Sequence, residues 1–238
     1  MSARRLPKGK RWPTAWSHSR YASWRLCAFA YFLGTLCKLP QPDIPAMVRG
    51  NKIHKLAEGF LKGTVTGTPK ELAKFMPELK RLKRLGVTPE QSWNLTSTME
   101  PCEWNDWDRV WVRAKIDAHH YFEDTRELVI VDFKTGRLNV VQAQMDLYAW
   151  MGPEFYPEVE TITVELWFLD HGETETQEYT PQDLTIIGKR WRKRADQLLS
   201  DREMEATPGW QCKRCAFRSD VTMMNGKKGP CKAWKKAA

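Results

Sequence analysis

The segment VIVDFKTG, residues 129–136, constrains the fold and the chemistry of this chain more than any other. An apolar, β-branched run that is typical of a buried strand leads directly into Asp132, and Lys134 follows. Burying a charged side chain without a partner costs roughly several kcal/mol of folding free energy. Two interpretations follow: Asp132 and Lys134 end a strand and enter a turn, or they are the working groups of an active site.

Periodicities elsewhere in the chain predict the architecture around this segment. Alternation with a period of two predicts strands at 93–100, 109–122, 127–133 and 160–169, with a hairpin turn at 123–125. Apolar stripes at helical spacing predict helices at 16–36, 46–63, 70–85, 140–152 and 181–204. This order predicts an α+β or α/β fold, with a central mixed β-sheet flanked by helices.

The charge of the chain is unevenly placed. The 238 residues carry a net charge of +9, yet residues 1–42 hold eight Lys/Arg and no acidic residue. Residues 207–238 hold eight Lys/Arg and one acidic residue, and the stretch between them has a net charge of −6. Two basic ends on a slightly acidic body indicate a polyanionic partner, and the alternative is a pair of solvated tails. Tryptophans beside basic residues are able to stack on nucleic-acid bases.

The apolar run LCAFAYFLGTL, residues 26–36, raises the question of a signal or membrane segment. It begins late, after a polar stretch, and it is too short to span a bilayer. We therefore expect a buried helix, no membrane association, and a cytoplasmic protein. In that reducing compartment the six cysteines are not expected to form disulfides.

Asp117 is the natural partner of Asp132. The hairpin turn at 123–125 pairs residue 117 with a residue near 131, which brings the two carboxylates close together. Two neighbouring carboxylates repel each other unless a cation lies between them, and hard oxygen ligands suit Mg²⁺ or Mn²⁺. Lys134 is two residues from Asp132, so its side chain points to the same face of the strand.

Two further elements supply polar residues that are ordinary by themselves. His54 ends RGNKIH on the helix that precedes the sheet, and a single histidine there is usually a surface or capping residue. Gln144 and Tyr148 in QMDLY are one helical turn apart, a pair that is usually found at the edge of a core. In this order along the chain, however, the features are specific together.

Together these residues resemble the motifs of the PD-(D/E)XK nucleases, specifically the RecB-like branch. That branch includes the nuclease domains of bacterial recombination helicase–nucleases, the CRISPR adaptation nucleases and many phage exonucleases. The matching residues are, in chain order, Gly50, His54, Asp117, Asp132, Lys134, Thr135, Gly136, Gln144 and Tyr148. The resemblance covers about residues 16–221 and departs at Ala114, where the family usually has glycine.

The resemblance implies a restriction-endonuclease-like core and a role for each matching residue. It implies that the divalent metal is held by His54, Asp117, Asp132 and the carbonyl of Phe133. Lys134 is expected to position or activate water and to stabilise the transition state. Gln144 and Tyr148 are expected to orient the metal site and the DNA backbone. We also expect DNA contacts from Tyr148 and from three basic residues, Arg20, Lys213 and Arg214.

The cysteines suggest a second metal site. Cys212 and Cys215 form a C-x-x-C motif, which brings two sulfurs within reach of one metal, and Cys231 follows later in the chain. In several RecB-like nucleases one cysteine before the histidine helix and three near the C-terminus hold a 4Fe-4S cluster. The resemblance assigns Cys27, Cys212 and Cys215 to it, but the usual third C-terminal position holds Val221.

Cys231 completes the predicted cluster if residues 220–230 are an inserted loop. Zinc and the absence of any metal remain the alternatives, and Cys37 and Cys102 are expected to be plain buried residues. A cluster would join the N- and C-terminal regions and thereby build a positive DNA surface. The expected organisation is a basic N-terminal segment at 1–45, a nuclease core at 46–206 and a C-terminal segment at 207–238 that packs on the N-terminal region.

The resulting prediction is a Mg²⁺- or Mn²⁺-dependent deoxyribonuclease, with exonuclease action favoured, in recombination, repair or phage DNA metabolism. Single- or double-stranded DNA is the expected substrate, and a recombination or integrase protein is a conceivable partner. One alternative is a CRISPR-adaptation-type nuclease that works with an integrase. Others are a non-catalytic DNA-binding protein that keeps the fold, and a zinc-stapled interaction module. The chain has no P-loop, so we expect a stand-alone nuclease or a subunit.

Overall fold

Five strands form one mixed β-sheet in the computed structural model of the chain, which describes residues 3–139 and 141–237. The strands lie side by side in sequence order: β1 (Thr88–Thr96), β2 (Val110–Phe122), β3 (Glu127–Lys134), β4 (Thr161–Phe168) and β5 (Glu173–Tyr179). β3 and β4 run parallel, whereas the other neighbouring strands run antiparallel. Helices flank the sheet, so the predicted fold class is confirmed.

The helices alternate with short irregular turns along the described chain. The α-helices are α1 (His18–Leu26), α2 (Ala28–Tyr31), α3 (Pro45–Lys62), α4 (Met76–Leu85), α5 (Gln142–Met151) and α6 (Pro181–Ser200). Single 3₁₀ turns occupy Lys70–Phe75, Gly152–Glu154, Trp210–Arg214 and Ala233–Ala237. α5 connects the parallel strands β3 and β4, as a crossover connection must, and it is this helix that faces the end of β3.

The helix predicted at 16–36 is interrupted at Cys27. The backbone of Cys27 is extended, with φ −164° and ψ 106°, and its N–H donates to the carbonyl of Ser23 where α1 ends. α2 begins at the next residue and continues into a π-helical turn at Phe32–Leu36. The apolar pattern passes through Cys27 without a glycine or proline, so no local sequence signal marks this break.

The apolar run at 26–36 is buried in part, and Leu26 at its start is 46% exposed. Its buried side chains are Ala28, Tyr31, Phe32, Leu33 and Leu36. Across the described residues, no helix combines the length and the apolar character that a membrane span requires.

Strand β5 was not predicted from the sequence. Its residues, ETETQEY, are polar or charged except for the last, and Tyr179 is its one buried side chain. The strand pairs with β4 from Ile162↔Tyr179 to Phe168↔Glu173 and lies at the edge of the sheet. An edge strand without an apolar face lacks the alternation that identifies strands, and its glutamates discourage pairing with another chain.

The core that carries the site lies between the sheet and the helices α3 and α4. It includes Ile53 and Ala57 of α3, Leu79 of α4, and Phe133 and Trp167 of the sheet, all at most 1% exposed. Each large apolar side chain that is fully buried contributes about 1.5–3 kcal/mol relative to its exposed state. This packing fixes α3 against the end of β3, which is where the functional residues converge.

The described chain divides into two compact units, and the division falls between Trp191 and Arg192 within α6. One unit comprises residues 1–43 and 192–238, and the other comprises residues 44–191. The first contains 20 Lys/Arg and 6 Asp/Glu, a net charge of +14, whereas the second contains 18 and 23, a net charge of −5. The unit that lacks the sheet therefore has a positive net charge, whereas the unit that contains it has a negative one.

The pH dependence of folding is expected to involve His119 on β2. This side chain is 2% exposed, and its Nε2 lies 2.6 Å from the hydroxyl of Tyr156. Burial, assisted by the nearby His120, lowers the pKa of His119 to about 4. The folded protein therefore keeps the imidazole neutral, whereas the unfolded chain protonates it near its ordinary pKa of about 6.5.

The stability that His119 contributes above pH 6.5 is consequently lost as the pH falls toward 4. Between pH 7 and pH 5 we expect the free energy of unfolding to fall by about 2 kcal/mol on account of this group. Urea titrations of the wild type and of His119→Gln at both pH values measure the effect. A variant that loses as much stability as the wild type between these pH values would contradict this assignment.

Candidate active site

The candidate site forms where strands β2 and β3 separate. The ladder between them runs from Phe122↔Glu127 to Ala118↔Val131, and the next residues are Asp117 and Asp132. Beyond the last pair, the backbone N–H of Phe133 donates to Oδ2 of Asp117 at 2.7 Å instead of to the backbone of β2. The two aspartates predicted from the hairpin register are therefore neighbours at the point where the strands part.

Helix α3 brings His54 to this point. Its Nδ1 lies 3.0 Å from Oδ1 of Asp117, and its ring meets the ring of Phe133 edge-on at 6.1 Å. Burial lowers the pKa of His54, but the hydrogen bond to Asp117 and the charges of Asp117 and Asp132 outweigh it, so the pKa is raised. Asp117 is thus held on one oxygen by His54 and on the other by the backbone of β3.

Gly50 allows α3 to approach the turn that follows β3. A Cβ at this position would lie 3.0 Å from Oγ1 of Thr135, closer than side chains normally pack. The spacing of Gly50 and His54 in the sequence therefore has a physical basis. The glycine lets the helix contact the turn, and one helical turn later the histidine reaches Asp117.

Helix α5 supplies the second group of contacts, around Asp132. The Nε2 of Gln144 donates to Oδ1 of Asp132 at 3.1 Å, and the hydroxyl of Tyr148 lies 3.0 Å from the same oxygen. The Nζ of Lys134 donates to Oε1 of Gln144 at 2.7 Å, so the amide of Gln144 links the lysine to the aspartate. All four side chains predicted at the ends of β3 and on α5 are in direct contact.

Asp132 is a buried charge with an unusual environment. It is 4% exposed; burial raises its pKa, Lys134 opposes that shift, and Asp117 adds to it. The Nζ of Lys134 lies 2.7 Å from Oδ2 of Asp132 and forms an ion pair with it. Among the described residues, this ammonium is the partner of Oδ2, and no further donor reaches the oxygen. A buried oxygen of this kind is suited to accept a cation.

A divalent cation would find hard donors here, although no complete cage exists. Asp117 is close enough to Asp132 to raise its pKa, and both carboxylates raise the pKa of the neighbouring His54. Among the residues that the structure describes, no three His, Cys, Asp or Glu side chains already surround a common point. Two neighbouring carboxylates fit Mg²⁺ or Mn²⁺, which keep several waters and need few protein ligands.

Among the described residues, the four cysteines predicted as cluster ligands do not form a ready metal site, although the other three lie near enough to Cys215 to affect its charge state. Burial raises the pKa of Cys215, and the charges of Cys231, Cys27 and Cys212 raise it further. The Nε2 of Gln211 donates to the carbonyl of Leu26 at 3.1 Å, which links the C-x-x-C segment to the residue before Cys27. All six cysteines are free thiols.

The position of Cys231 is set by backbone contacts. Its N–H donates to the carbonyl of Phe217 at 2.9 Å, and its carbonyl accepts from the N–H of Ser219 at 2.8 Å. Residues 220–230 therefore form a loop whose ends are paired. These contacts return Cys231 to the region of the C-x-x-C motif, although 15 residues separate it from Cys215 in the sequence.

The residues predicted to contact DNA differ in their exposure. Lys213 and Arg214 are exposed. The guanidinium of Arg20 donates to the carbonyl of Ala15 at 2.9 Å, so this arginine has a structural contact. Tyr148 is 4% exposed and its hydroxyl is engaged with Asp132. Their roles toward DNA stay predictions.

Sequence reasoning missed a set of residues beside the turn after Lys134. Arg49 on α3 forms an ion pair with Asp170, and Asp170 accepts a hydrogen bond from the N–H of Gly136. The neighbouring His171 contacts the carbonyl of Gly136 at 2.6 Å. The available signal was a polar pair, Asp170 and His171, directly after a strand that is parallel to β3.

Comparison with known protein families places the chain in one of them. The family model of the PD-(D/E)XK nuclease superfamily matches residues 15–219. Sequence comparison with curated proteins gives no match. Among solved structures, the chain is similar to SSO0001, with a TM-score of 0.46 and 16% identity over 95% of this chain and 90% of that one.

A second similar structure is a protein from Eubacterium rectale whose assignment as an exonuclease is provisional. Its TM-score is 0.45 at 12% identity, and the match covers 78% of this chain and 81% of that one.

The ion pair of Lys134 with Asp132 leads to a stability prediction. In Lys134→Met, Asp132 remains buried without its counter-charge, so we expect the free energy of unfolding at pH 8 to fall by about 3 kcal/mol. The deficit should shrink toward pH 5, because the aspartate then folds in its neutral form. The double variant Asp132→Asn/Lys134→Met should recover most of the loss. Urea titrations of the three proteins measure these differences.

Lys115→Met is the matched control, because Lys115 on β2 is 58% exposed and pairs with Glu90 at 2.9 Å. An exposed pair contributes about 1 kcal/mol at most. Equal losses in Lys134→Met and Lys115→Met would show that the buried charge of Asp132 is not compensated by Lys134.

Proposed function

The chain belongs to the PD-(D/E)XK nuclease superfamily, and we propose that it is a divalent-metal-dependent deoxyribonuclease of the RecB-like branch. The observation that carries this proposal is the convergence of Asp117, Asp132 and Lys134 where β2 and β3 separate. We further propose exonuclease action in recombination, repair or phage DNA metabolism, in the cytoplasm of a bacterial cell or infected host. A recombination or integrase protein partner stays a prediction.

In this proposal Asp117 and Asp132 hold the divalent metal, assisted by His54 and the carbonyl of Phe133. The buried Oδ2 of Asp132, which already contacts the ammonium of Lys134, and the hard oxygen donors support that assignment. When bound, the metal would polarise the scissile phosphate and increase the acidity of a water molecule. His54 contributes by orienting Asp117, since its Nδ1 lies 3.0 Å from that carboxylate.

Lys134 is assigned to the reacting phosphate. Its Nζ carries a positive charge at the mouth of the site, where it is 21% exposed and so accessible to substrate. A cation in this position stabilises the negative charge that develops on the phosphate oxygens in the transition state. Gln144 has the positioning role, because its amide contacts both the Nζ of Lys134 and Oδ1 of Asp132.

The charge of the unit formed by residues 1–43 and 192–238 supports DNA as the substrate. Its net charge of +14 is appropriate for a polyphosphate ligand. In its C-terminal part, Lys213 and Arg214 are exposed, and Trp210 beside them is 76% exposed. An exposed indole among cations is suited to stack on an unpaired base, which favours a substrate with a single-stranded portion.

The same proposal includes a 4Fe-4S cluster held by Cys27, Cys212, Cys215 and Cys231. The influence of the other three thiols on the charge state of Cys215 supports it, and none of the four is consumed by a disulfide. When bound, the cluster would tie α1 to the C-terminal segment through metal–thiolate bonds. Zinc remains the alternative occupant of four clustered thiols.

The nuclease assay tests the central assignment. We expect wild-type protein with Mn²⁺ to degrade 5′- or 3′-labelled single- or double-stranded DNA. Asp132→Ala, Asp117→Ala and Lys134→Ala should each lower the rate by at least about 100-fold, since each removes a charge that acts in the transition state. Labelling at each end distinguishes the polarity of an exonuclease, and internal fragments would indicate an endonuclease.

Asp124→Ala is the control for this assay, because Asp124 is an exposed carboxylate in the turn between β2 and β3. It should retain wild-type activity. If the wild type binds each substrate but leaves it intact, the proposal fails in favour of a non-catalytic DNA-binding protein with the same fold.

The composition of anaerobically purified protein tests the cluster. We expect about four iron and four acid-labile sulfide atoms per chain, with both lost in Cys215→Ser because the cluster needs each thiolate. Cys102→Ser, in the other unit, should keep the full content. Stoichiometric zinc in place of iron and sulfide would overturn the cluster assignment, and a Cys231→Ser protein with full content would exclude Cys231 as a ligand.

A further inference from the structure

The turn after Lys134 is held by a side chain from the end of the neighbouring strand. The parallel ladder between β3 and β4 continues past its last strand pair, because Leu169 N–H donates to the carbonyl of Lys134 at 2.9 Å. One residue further, Oδ2 of Asp170 accepts from the N–H of Gly136 at 2.6 Å. The side-chain carboxylate of Asp170 thus takes the place that a backbone carbonyl would have if the ladder between β3 and β4 continued.

Asp170 is also connected to α3. The guanidinium of Arg49 binds it with two hydrogen bonds, from Nη1 to Oδ2 at 2.8 Å and from Nη2 to Oδ1 at 2.5 Å. Bidentate pairs of this kind restrict both distance and orientation. The backbone carbonyl of Asp170 accepts from Nζ of Lys74 at 2.7 Å, so the residue itself is held in place.

The conformation of the turn gives these contacts their importance. Gly136 has φ 86°, in the left-handed region, and its carbonyl is contacted by Nε2 of His171 at 2.6 Å. Both backbone polar groups of Gly136 are therefore engaged by consecutive residues after β4. Thr135, just before it, packs against Gly50 of α3. Asp170 therefore joins the turn to α3 beside a close backbone contact.

Asp170 keeps its negative charge, so its ion pair with Arg49 persists over a wide pH range. The hydrogen bonds from Arg49 lower its pKa, burial opposes them, and the hydrogen bond from the N–H of Gly136 lowers the pKa further, to about 2. The carboxylate is therefore ionised throughout the pH range in which a nuclease is assayed.

We propose that Arg49 and Asp170 are positioning residues that clamp the turn at 134–136 between α3 and β4, and so align Lys134 with the carboxylates of the site. This inference rests on the proposed nuclease function. The clamp joins the helix that carries His54 to the strand end that carries Lys134. Neither Arg49 nor Asp170 needs to touch substrate to act in this way.

A positioning role differs from a purely structural one in its energetic consequences. Arg49 is 51% exposed, and an ion pair at such a site contributes little to global stability. Displacement of a catalytic group by about 1 Å, in contrast, lowers turnover by about 100-fold. Loss of the clamp should therefore reduce kcat far more than it reduces stability.

Steady-state kinetics of clamp variants with Mn²⁺ and a labelled DNA substrate provide the test. We expect Asp170→Ala to lower kcat by about 10- to 100-fold, with KM changed less than about threefold and the thermal midpoint nearly unchanged. Asp170→Asn should recover part of kcat, because its amide oxygen still accepts from Gly136. An unchanged kcat in Asp170→Ala would overturn the proposal.

A charge-swapped pair separates the two halves of the clamp. Arg49→Glu/Asp170→Arg restores opposite charges between α3 and the end of β4, but arginine cannot accept the N–H of Gly136. We therefore expect kcat to stay low in this double variant, and full recovery would show that only the ion pair matters. The control is Glu160→Ala, which breaks the exposed ion pair with Arg126 at 2.7 Å and should leave kcat unchanged.

Hydrogen exchange gives a readout that does not depend on activity. In the metal-free protein, we expect the amide of Gly136 to exchange slowly in the wild type and at least about tenfold faster in Asp170→Ala. Equal exchange in the two proteins would overturn the clamp even if the nuclease proposal holds. A wild type that cleaves no DNA would overturn the nuclease proposal, and exchange at Gly136 would still decide whether the clamp exists.

Discussion

The buried charge of Asp132 is the constraint on which the rest of the site depends. A carboxylate that is 4% exposed needs compensation, and the surrounding elements each supply part of it. β3 itself provides Lys134 two residues later, and α5 provides the amide of Gln144 and the hydroxyl of Tyr148. Even so, one oxygen of Asp132 lacks a hydrogen bond among the described residues, which leaves the site suited to a cation.

The fold brings these groups together by letting two strands separate. From the hairpin turn to the pair Ala118↔Val131 the ladder of β2 and β3 is regular. Beyond this pair, the side chain of Asp117 replaces a backbone carbonyl as the acceptor for the N–H of Phe133. The apolar packing of α3 on the sheet then brings His54 to the gap. Where the sheet loses backbone hydrogen bonds, side-chain contacts of Asp117 and His54 replace them, and such local departures from regular structure are common at functional sites.

The sequence predicted those parts of the site that depend on short-range pattern. The hairpin around 123–125 sets the pairing of Asp117 with the end of β3, so local spacing was sufficient for the two aspartates. Helical spacing puts Gln144 and Tyr148 on one face, but their place in the site came from the resemblance to the family. Strand β5 was not predicted, because its polar residues lack the alternation of apolar and polar side chains that identifies a strand. The contact between Arg49 and Asp170 was not predicted for a different reason. The two residues are 121 positions apart in the sequence, and only the tertiary packing of α3 beside the end of β4 brings them together.

The central claim is that Asp117 and Asp132 form a site for a divalent cation, and calorimetric titration with Mn²⁺ tests it most directly. The account predicts that the wild type binds Mn²⁺, that Asp132→Asn and Asp117→Asn each weaken this binding by at least about tenfold, and that Asp124→Asn does not. Binding of the same affinity in all four proteins would contradict the account, because the cation would then occupy some other part of the chain.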